Sequence, residues 1–316
     1  MSQPSGTKAV LAAMAANIAI AVTKLIAWLL TGAASMLAEA IHSFADCANQ
    51  ILLLIGGRNA RKRPTALHPF GYGRDRYLAG FLVAIILFSM GGLFACYEAF
   101  KKFEEVRAGH ASELLTSPWW WVPVVVLVAA VVAESLSLRT AVREARPAKG
   151  KQGWVRFVRG TRSPELPVIL LEDTAALTGL LFALIGVGMT LLTGSGYWDA
   201  GGTAAIGVLL VAIAIILASE TSSMLIGEAA PAEEVDKITA AIAGTPGVED
   251  VISMKTIHLG PDEVLVTAQI LVTPKATTLE VVGIINAAEA AVRAVSPLAG
   301  PIYLEPDVGL DESEQR

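Results

Sequence analysis

The chain has only two cysteines in 316 residues, and both, Cys47 and Cys96, fall inside apolar segments. Neither a disulfide framework nor a cysteine-based zinc cluster can organise such a sequence, and the two thiols read as small buried hydrophobes. Charge is also sparse. Asp, Glu, Lys and Arg make up 17% of the residues, and the formal net charge of −5 is so uneven that long stretches carry almost none of it. Nucleic acid is not an expected partner. A His-Glu-x-x-His run, a nucleophile motif and a phosphate-binding loop are missing too, which removes common signatures of hydrolases and nucleotide enzymes.

What the sequence does hold is apolar side chain. At 54% hydrophobic residues and a mean hydropathy of +0.58, it exceeds what a soluble domain of this size can bury, so a lipid bilayer is the expected solvent for much of it. Six segments reach the roughly 20 residues that a spanning helix needs: about 9–31, 34–57, 77–100, 119–141, 166–193 and 202–226. The first contains Asn17 and Lys24 and no small-residue cleavage site, so it is read as a retained span rather than a signal peptide. The connections give the orientation. Arg58 to Arg76 holds six Arg or Lys and Arg139 to Arg162 holds eight, whereas 31–34 and 194–201 hold none. The two basic connections are therefore expected in the cytoplasm, and an even span count puts both termini there. Trp119, Trp120 and Trp121 open the fourth span, where an aromatic belt belongs.

After Gly227 the pattern changes to that of a small α+β unit. Pro231 starts a helix with an apolar stripe of Val235, Ile238 and Ile242. Val251–Leu259 and Val264–Val272 read as two strands of a hairpin split by Gly260 and Pro261. Thr277 and Glu280 have capping-box spacing ahead of a second helix, and Ile302–Leu304 gives a short last strand. The expected organisation is an all-α six-helix transmembrane domain at 1–227, a cytosolic αββαβ domain at 228–306 and an acidic disordered tail at 307–316.

Ionisable groups at membrane depth cost several kcal/mol each and mark functional sites by default. In the second span His42 and Asp46 lie four residues apart on one helix face, with Glu39 and Asn49 extending the stripe. The fifth span supplies adjacent acids, Glu172 and Asp173, inside apolar sequence. Two carboxylates there are uncomfortable unless a cation lies between the helices. One imidazole nitrogen with two or three carboxylate oxygens forms a site suited to Zn²⁺ and tolerable for Co²⁺, Fe²⁺, Mn²⁺ or Cd²⁺. Alone, His42 and Asp46 also fit an interhelical hydrogen-bonded pair; with Glu172 and Asp173 added, metal or proton traffic is the favoured reading. Glu134 in the fourth span fits a further ligand, a proton relay or a partner for Arg139. Lys24 and Asn17 are expected to pair with neighbouring polar groups or to snorkel, Glu220 to end a helix in solvent, and His110 to lie on the surface.

The run Ser35-Met-Leu-Ala-Glu-Ala-Ile-His42-Ser-Phe-Ala-Asp46, followed by His68-Pro-Phe-Gly-Tyr-Gly73 after a basic connection, resembles the second span and following loop of the cation diffusion facilitator family. Glu134 together with Leu-Leu-Glu-Asp-Thr-Ala-Ala is similar to a zinc-transporter subgroup that includes mitochondrial relatives. The resemblance implies a homodimer that exchanges a divalent metal, Zn²⁺ above all, for protons, with a metallochaperone-like tail serving dimer contact, regulation or plain stability. His42, Asp46 and Asp173 match metal ligands of that family. The remaining family ligand falls on Ile169, which cannot bind metal, so the fourth ligand is Glu172, Glu134 or water, with Glu172 preferred. His68 matches one ligand of a second site found in some members, but Tyr72 and Thr65 stand where its partners would be, so a complete second site is not expected. In the tail only His258, Glu305 and Asp307 remain as poor metal candidates.

The expected function is alternating-access export of the metal from the cytosol against protons, with no enzymatic role and a bacterial inner membrane as the expected location. Two other classes fit less well. An intramembrane metal-dependent hydrolase would use Glu172 as general base, and a non-transporting metal sensor or scaffold would work through the tail.

Overall fold

A computed structural model describes residues 4–110, 112–160 and 165–308. The chain divides into two compact units, Met1–Gly57 with Leu78–Ser222, and Arg58–Tyr77 with Ser223–Arg316.

The first unit is helical. It contains α1 (Pro4–Thr31), α2 (Ala34–Asn59), α3 (Asp75–Ile86), α4 (Phe94–Arg107), α5 (Glu113–Thr116), α6 (Val122–Lys149), α7 (Trp154–Gly160), α8 (Glu165–Thr193) and α9 (Tyr197–Ile226). A π-helical stretch, Leu87–Leu93, joins α3 to α4 without a break. Four helical segments among the described residues are long and apolar enough to cross a membrane: Asp75–Arg107, α6, α8 and α9. The described apolar part of α1, Asn17–Thr31, is shorter, and α2 is diluted along its length by Glu39, His42, Asp46 and Asn49. Composition therefore marks four of the six expected spans.

Outward faces have the character lipid demands. On α6, Val125, Val128, Val132 and Leu136 recur at helical spacing and are 48–59% uncovered by protein, while Leu127 and Ala130 between them are buried. That narrow inner stripe packs against α8 and α1. Met36, Val83, Leu87, Leu127, Leu180 and Ile206 belong to the common core. At the α8–α9 contact, a Cβ on Gly202 would lie 2.8 Å from the Phe182 carbonyl oxygen. Only glycine permits so close a backbone approach.

The fourth expected span differs from its sequence reading at both ends. Trp119, Trp120 and Trp121 form the turn before α6 rather than its first residues, and Pro123 falls in the first helical turn, where its missing N–H costs nothing. At the other end the helix runs to Lys149 through Pro147, so much of the basic connection is helical. Ala141 and Ala145 of α6 pack with Phe157 of α7 and Leu170 of α8, a contact that holds this extension in place.

In the second unit, α10 (Ala232–Ala243), β1 (Val248–Gly260), β2 (Glu263–Val272), α11 (Thr278–Val295) and β3 (Ala299–Asp307) follow in that order. The sheet order is β1-β2-β3, with β1 and β2 antiparallel and β2 and β3 parallel. Val264, Val266, Ala268, Ile270 and Val272 are all buried, as strict alternation predicts, and they meet Ile238, Ile242 and Val292 from the helices. Thr277 and Glu280 close the capping box that starts α11. The last strand is longer than the three residues expected, because Thr267–Leu271 pairs with Tyr303–Asp307 through backbone bonds that need no apolar pattern. Asp307, expected to begin a disordered tail, therefore ends β3 and accepts a 2.9 Å bond from Gln269 Nε2; the tail from 309 lies outside the described residues. Residues 58–77 join this unit through Gly73, whose Cβ would lie 2.7 Å from the Leu259 carbonyl oxygen, and through an Arg76–Asp262 ion pair of 2.7 Å.

Candidate metal site

Helix α2 carries the candidate stripe, and its start is fixed by an acid from another helix. Asp199, in the first turn of α9 and fully buried, accepts from the Ala34 N–H at 2.7 Å and the Ser35 N–H at 3.3 Å, and also from the Ser35 hydroxyl. A carboxylate in that position satisfies orphan amides and opposes the helix dipole, doing from a distance what an N-cap side chain does locally. Sequence reasoning passed over Asp199; an acid opening an otherwise apolar helix was the available signal.

Along α2, Glu39, His42, Asp46 and Asn49 follow at helical spacing. Glu39, His42 and Asn49 are buried, and Asp46 is 20% exposed. His42 Nδ1 lies 3.6 Å from Asp46 Oδ1, too far for a hydrogen bond. Both imidazole nitrogens and Asp46 Oδ1 are buried with no hydrogen-bond partner. Orphaned buried polar atoms are rare and costly, and of these three one imidazole nitrogen and the Asp46 oxygen, on adjacent turns of one helix, could hold a cation.

The two adjacent acids of α8 are separated by the helical rotation of about 100° per residue. Glu172 turns toward α2, where its Oε1 accepts from Asn49 Nδ2 at 2.6 Å. Asp173 turns toward α6, where its Oδ2 accepts from the Ser137 hydroxyl at 3.0 Å. Glu172 is buried, whereas Asp173 and Glu134 are half-buried. The Asp46 carboxylate acts electrostatically on Glu134, Glu172 and Asp173 alike, so the four acids share one field. They are not drawn into one cage. Among the described residues no three His, Cys, Asp or Glu side chains converge closely enough to hold a metal ion. The candidate ligands stand instead as a His42–Asp46 pair and two acids held by neutral partners.

Lys24 brings a positive charge to this region. It is 1% exposed, and its Nζ lies 2.9 Å from Glu39 Oε2 and donates at 2.9 Å to the Ser43 hydroxyl. Of the remaining candidates, His68 is exposed and packs against Tyr72, the rings tilted by 56° with centroids 4.6 Å apart. His258 is buried with Nδ1 3.2 Å from the Gly260 carbonyl oxygen, and Glu305 is exposed on β3.

The family model for the cation efflux transmembrane domain matches residues 10–226. The chain belongs to the cation efflux family, the cation diffusion facilitators. Among curated relatives of this cation efflux protein, the proton-coupled zinc antiporter SLC30A9, mitochondrial, of Homo sapiens is 31% identical over 266 residues, covering 83% of this chain and 45% of the relative. The Xenopus laevis protein of the same name is 30% identical over 249 residues, covering 78% and 43%. Metal tolerance protein C4 of Arabidopsis thaliana is 26% identical over 265 residues, covering 83% and 56%. The chain thus spans about half the length of these relatives. A solved C-terminal domain of MamM is 23% identical, covering 24% of this chain and 89% of that chain, at a TM-score of 0.23.

Proposed function

We propose that this cation efflux protein is a divalent-metal/proton antiporter, with Zn²⁺ as the main cargo, and that His42, Asp46, Glu172 and Asp173 bind the metal in transit. The observation that carries the reading is the set of three orphaned polar atoms on His42 and Asp46, buried in an apolar helical unit beside three more carboxylates. A divalent cation would satisfy one imidazole nitrogen and the Asp46 oxygen. A nitrogen ligand with carboxylate oxygens suits Zn²⁺, and the SLC30A9 relatives are named proton-coupled zinc antiporters.

Proton coupling follows from the ligands. His42 must be neutral and Asp46, Glu172 and Asp173 ionised to hold the ion, so metal entry releases protons and protonation from the opposite side releases metal. Binding requires Glu172 and Asp173 to exchange hydrogen bonds with Asn49 and Ser137 for coordination, which makes relative movement of α2, α6 and α8 part of the cycle. We read α1 and α2 as the other two spans, giving six. The basic connections support a cytoplasmic position for both termini, the inner membrane of a bacterium is the proposed location, and a homodimer is the proposed working form.

The test is flux in proteoliposomes that trap a pH-sensitive dye. Zn²⁺ movement accompanied by opposite proton movement supports antiport; Zn²⁺ movement with no pH change removes the coupling, and no movement removes the transport reading.

A further inference from the structure

Glu39 is the one acid on the α2 stripe that already has a cation. Its carboxylate is fully buried, as is Lys24, and the 2.9 Å contact joins only Oε2 to Nζ. Oε1 is buried with no hydrogen-bond partner. It faces α8, where a Cβ on Gly179 would lie 2.9 Å from it. Gly179 is two helical turns beyond Glu172, on the same face. Glu39 itself is one turn from His42 on the α2 face that holds the candidate ligands. One oxygen of the Glu39 carboxylate is therefore without a partner one turn from His42, and Lys24 occupies the other. Ser43 adds a second acceptor for the ammonium, which fixes it beside the stripe instead of letting it extend toward an interface.

Resting on the metal-site reading above, we propose that Lys24 is a built-in counter-cation that withholds Glu39 from the metal, thereby limiting the negative charge the site presents and setting how readily it lets the ion go. A transport site must bind weakly enough to release. Lys24 also acts electrostatically on Asp46 and Glu134, so its charge reaches the ligands as well as Glu39. A merely structural ion pair would tie α1 to α2 and leave metal affinity alone. A counter-cation does more: without it Glu39 is a buried, unpaired carboxylate, and the metal becomes the nearest charge able to satisfy it.

The experiment is Zn²⁺ titration calorimetry on the purified full-length protein, comparing wild type with Lys24→Met, Lys24→Arg and the double variant Lys24→Met/Glu39→Gln. Lys24→Met is expected to bind Zn²⁺ about tenfold more tightly, as one newly available charged ligand allows, with a lower KM and a lower kcat in proteoliposomes. Lys24→Arg keeps the charge and is expected to stay near wild type. The double variant removes the unpaired carboxylate and returns the affinity to the wild-type range. Where Lys24→Met is too unstable to titrate, its melting temperature with and without Zn²⁺ is the readout; the inference requires a larger Zn²⁺-induced rise than in wild type. Unchanged affinity in Lys24→Met, or a Zn²⁺-induced rise no larger than in wild type, overturns the role of Lys24 and leaves the metal site standing. No Zn²⁺ binding by wild type overturns the site and this inference together.

Discussion

Glu172 is the residue on which the composition of the site turns, and Glu172→Gln probes it cleanly. The amide keeps an oxygen that can accept the 2.6 Å bond from Asn49 Nδ2, and it keeps the volume in a buried position, so the packing of α2 against α8 is left almost unchanged. What disappears is the negative charge. If Glu172 is a ligand, exchanging carboxylate for amide should cost about 3 kcal/mol of metal binding, or roughly 100-fold in Kd. If it only orients its neighbours through Asn49, the substitution retains that bond and affinity should fall by much less than the roughly 10–100-fold typical of losing an outer-shell partner. Asn49→Ala separates the cases further. It removes the donor while sparing the carboxylate, and a modest loss of about tenfold is expected from misplacement alone. The assay is Zn²⁺ calorimetry on both variants, with circular dichroism confirming intact helices. Glu172→Gln binding Zn²⁺ within twofold of wild type would refute the assignment and leave water or Glu134 to complete the shell.

Other outcomes follow from the same contacts. Asp199→Ala leaves the buried Ala34 and Ser35 amides without their acceptor, a loss of about 1–3 kcal/mol that should appear as a lower melting temperature in detergent; an unchanged melting temperature counts against the capping role. Gly73→Val forces a Cβ to within 2.7 Å of the Leu259 carbonyl, so residues 58–77 should become more readily cleaved by protease, with equal cleavage in both proteins as the contrary result. In α11 the Thr277 backbone N–H and hydroxyl lower the carboxyl pKa of Glu280. A group with a depressed folded pKa stabilises the fold above its unfolded pKa and loses that contribution as pH falls through the folded value. Hydrogen-exchange protection factors of the first-turn amides of α11 should therefore fall in acid more in wild type than in Glu280→Gln, and identical acid responses would remove Glu280 as the cause.

The small α/β unit was readable because each element has a local cause that tertiary contacts do not contradict. Alternation set which face of β2 is buried, and the Thr277–Glu280 spacing set where α11 begins. β3 was underestimated because residues such as Glu305 and Pro306 carry no strand pattern of their own; their pairing comes from β2. In the helical unit, hydropathy marked the apolar helices but not the turn chemistry around Trp119–Trp121, nor the continuation of α6 through Pro147, which depends on Phe157 packing back from α7. For the candidate site, periodicity placed His42 and Asp46 on one face and singled out Glu172 and Asp173. It could not supply their partners, since Asn49, Ser137, Lys24 and Asp199 act across helices and no sequence spacing connects them.

Those partners bear on how such a site can bind and release without trapping its cargo. A cage of four ligands converging before the ion arrives would hold it tightly, and like charges brought so close in a low-dielectric region would be costly while empty. Here the acids are parked separately: Glu172 on Asn49 of α2, Asp173 on Ser137 of α6 and Glu39 on Lys24 of α1. If Glu172 and Asp173 bind the metal, each must give up its bond to Asn49 or Ser137 for a metal bond while Glu39 stays on Lys24, so the net gain on binding is a difference between two comparable interactions rather than the full strength of coordination. Because Asn49 and Ser137 lie on α2 and α6 while the acids they hold lie on α8, any tilt of α2, α6 or α8 alters which side of that exchange is favoured. Affinity is then tied to helix position, and this linkage is what alternating access requires.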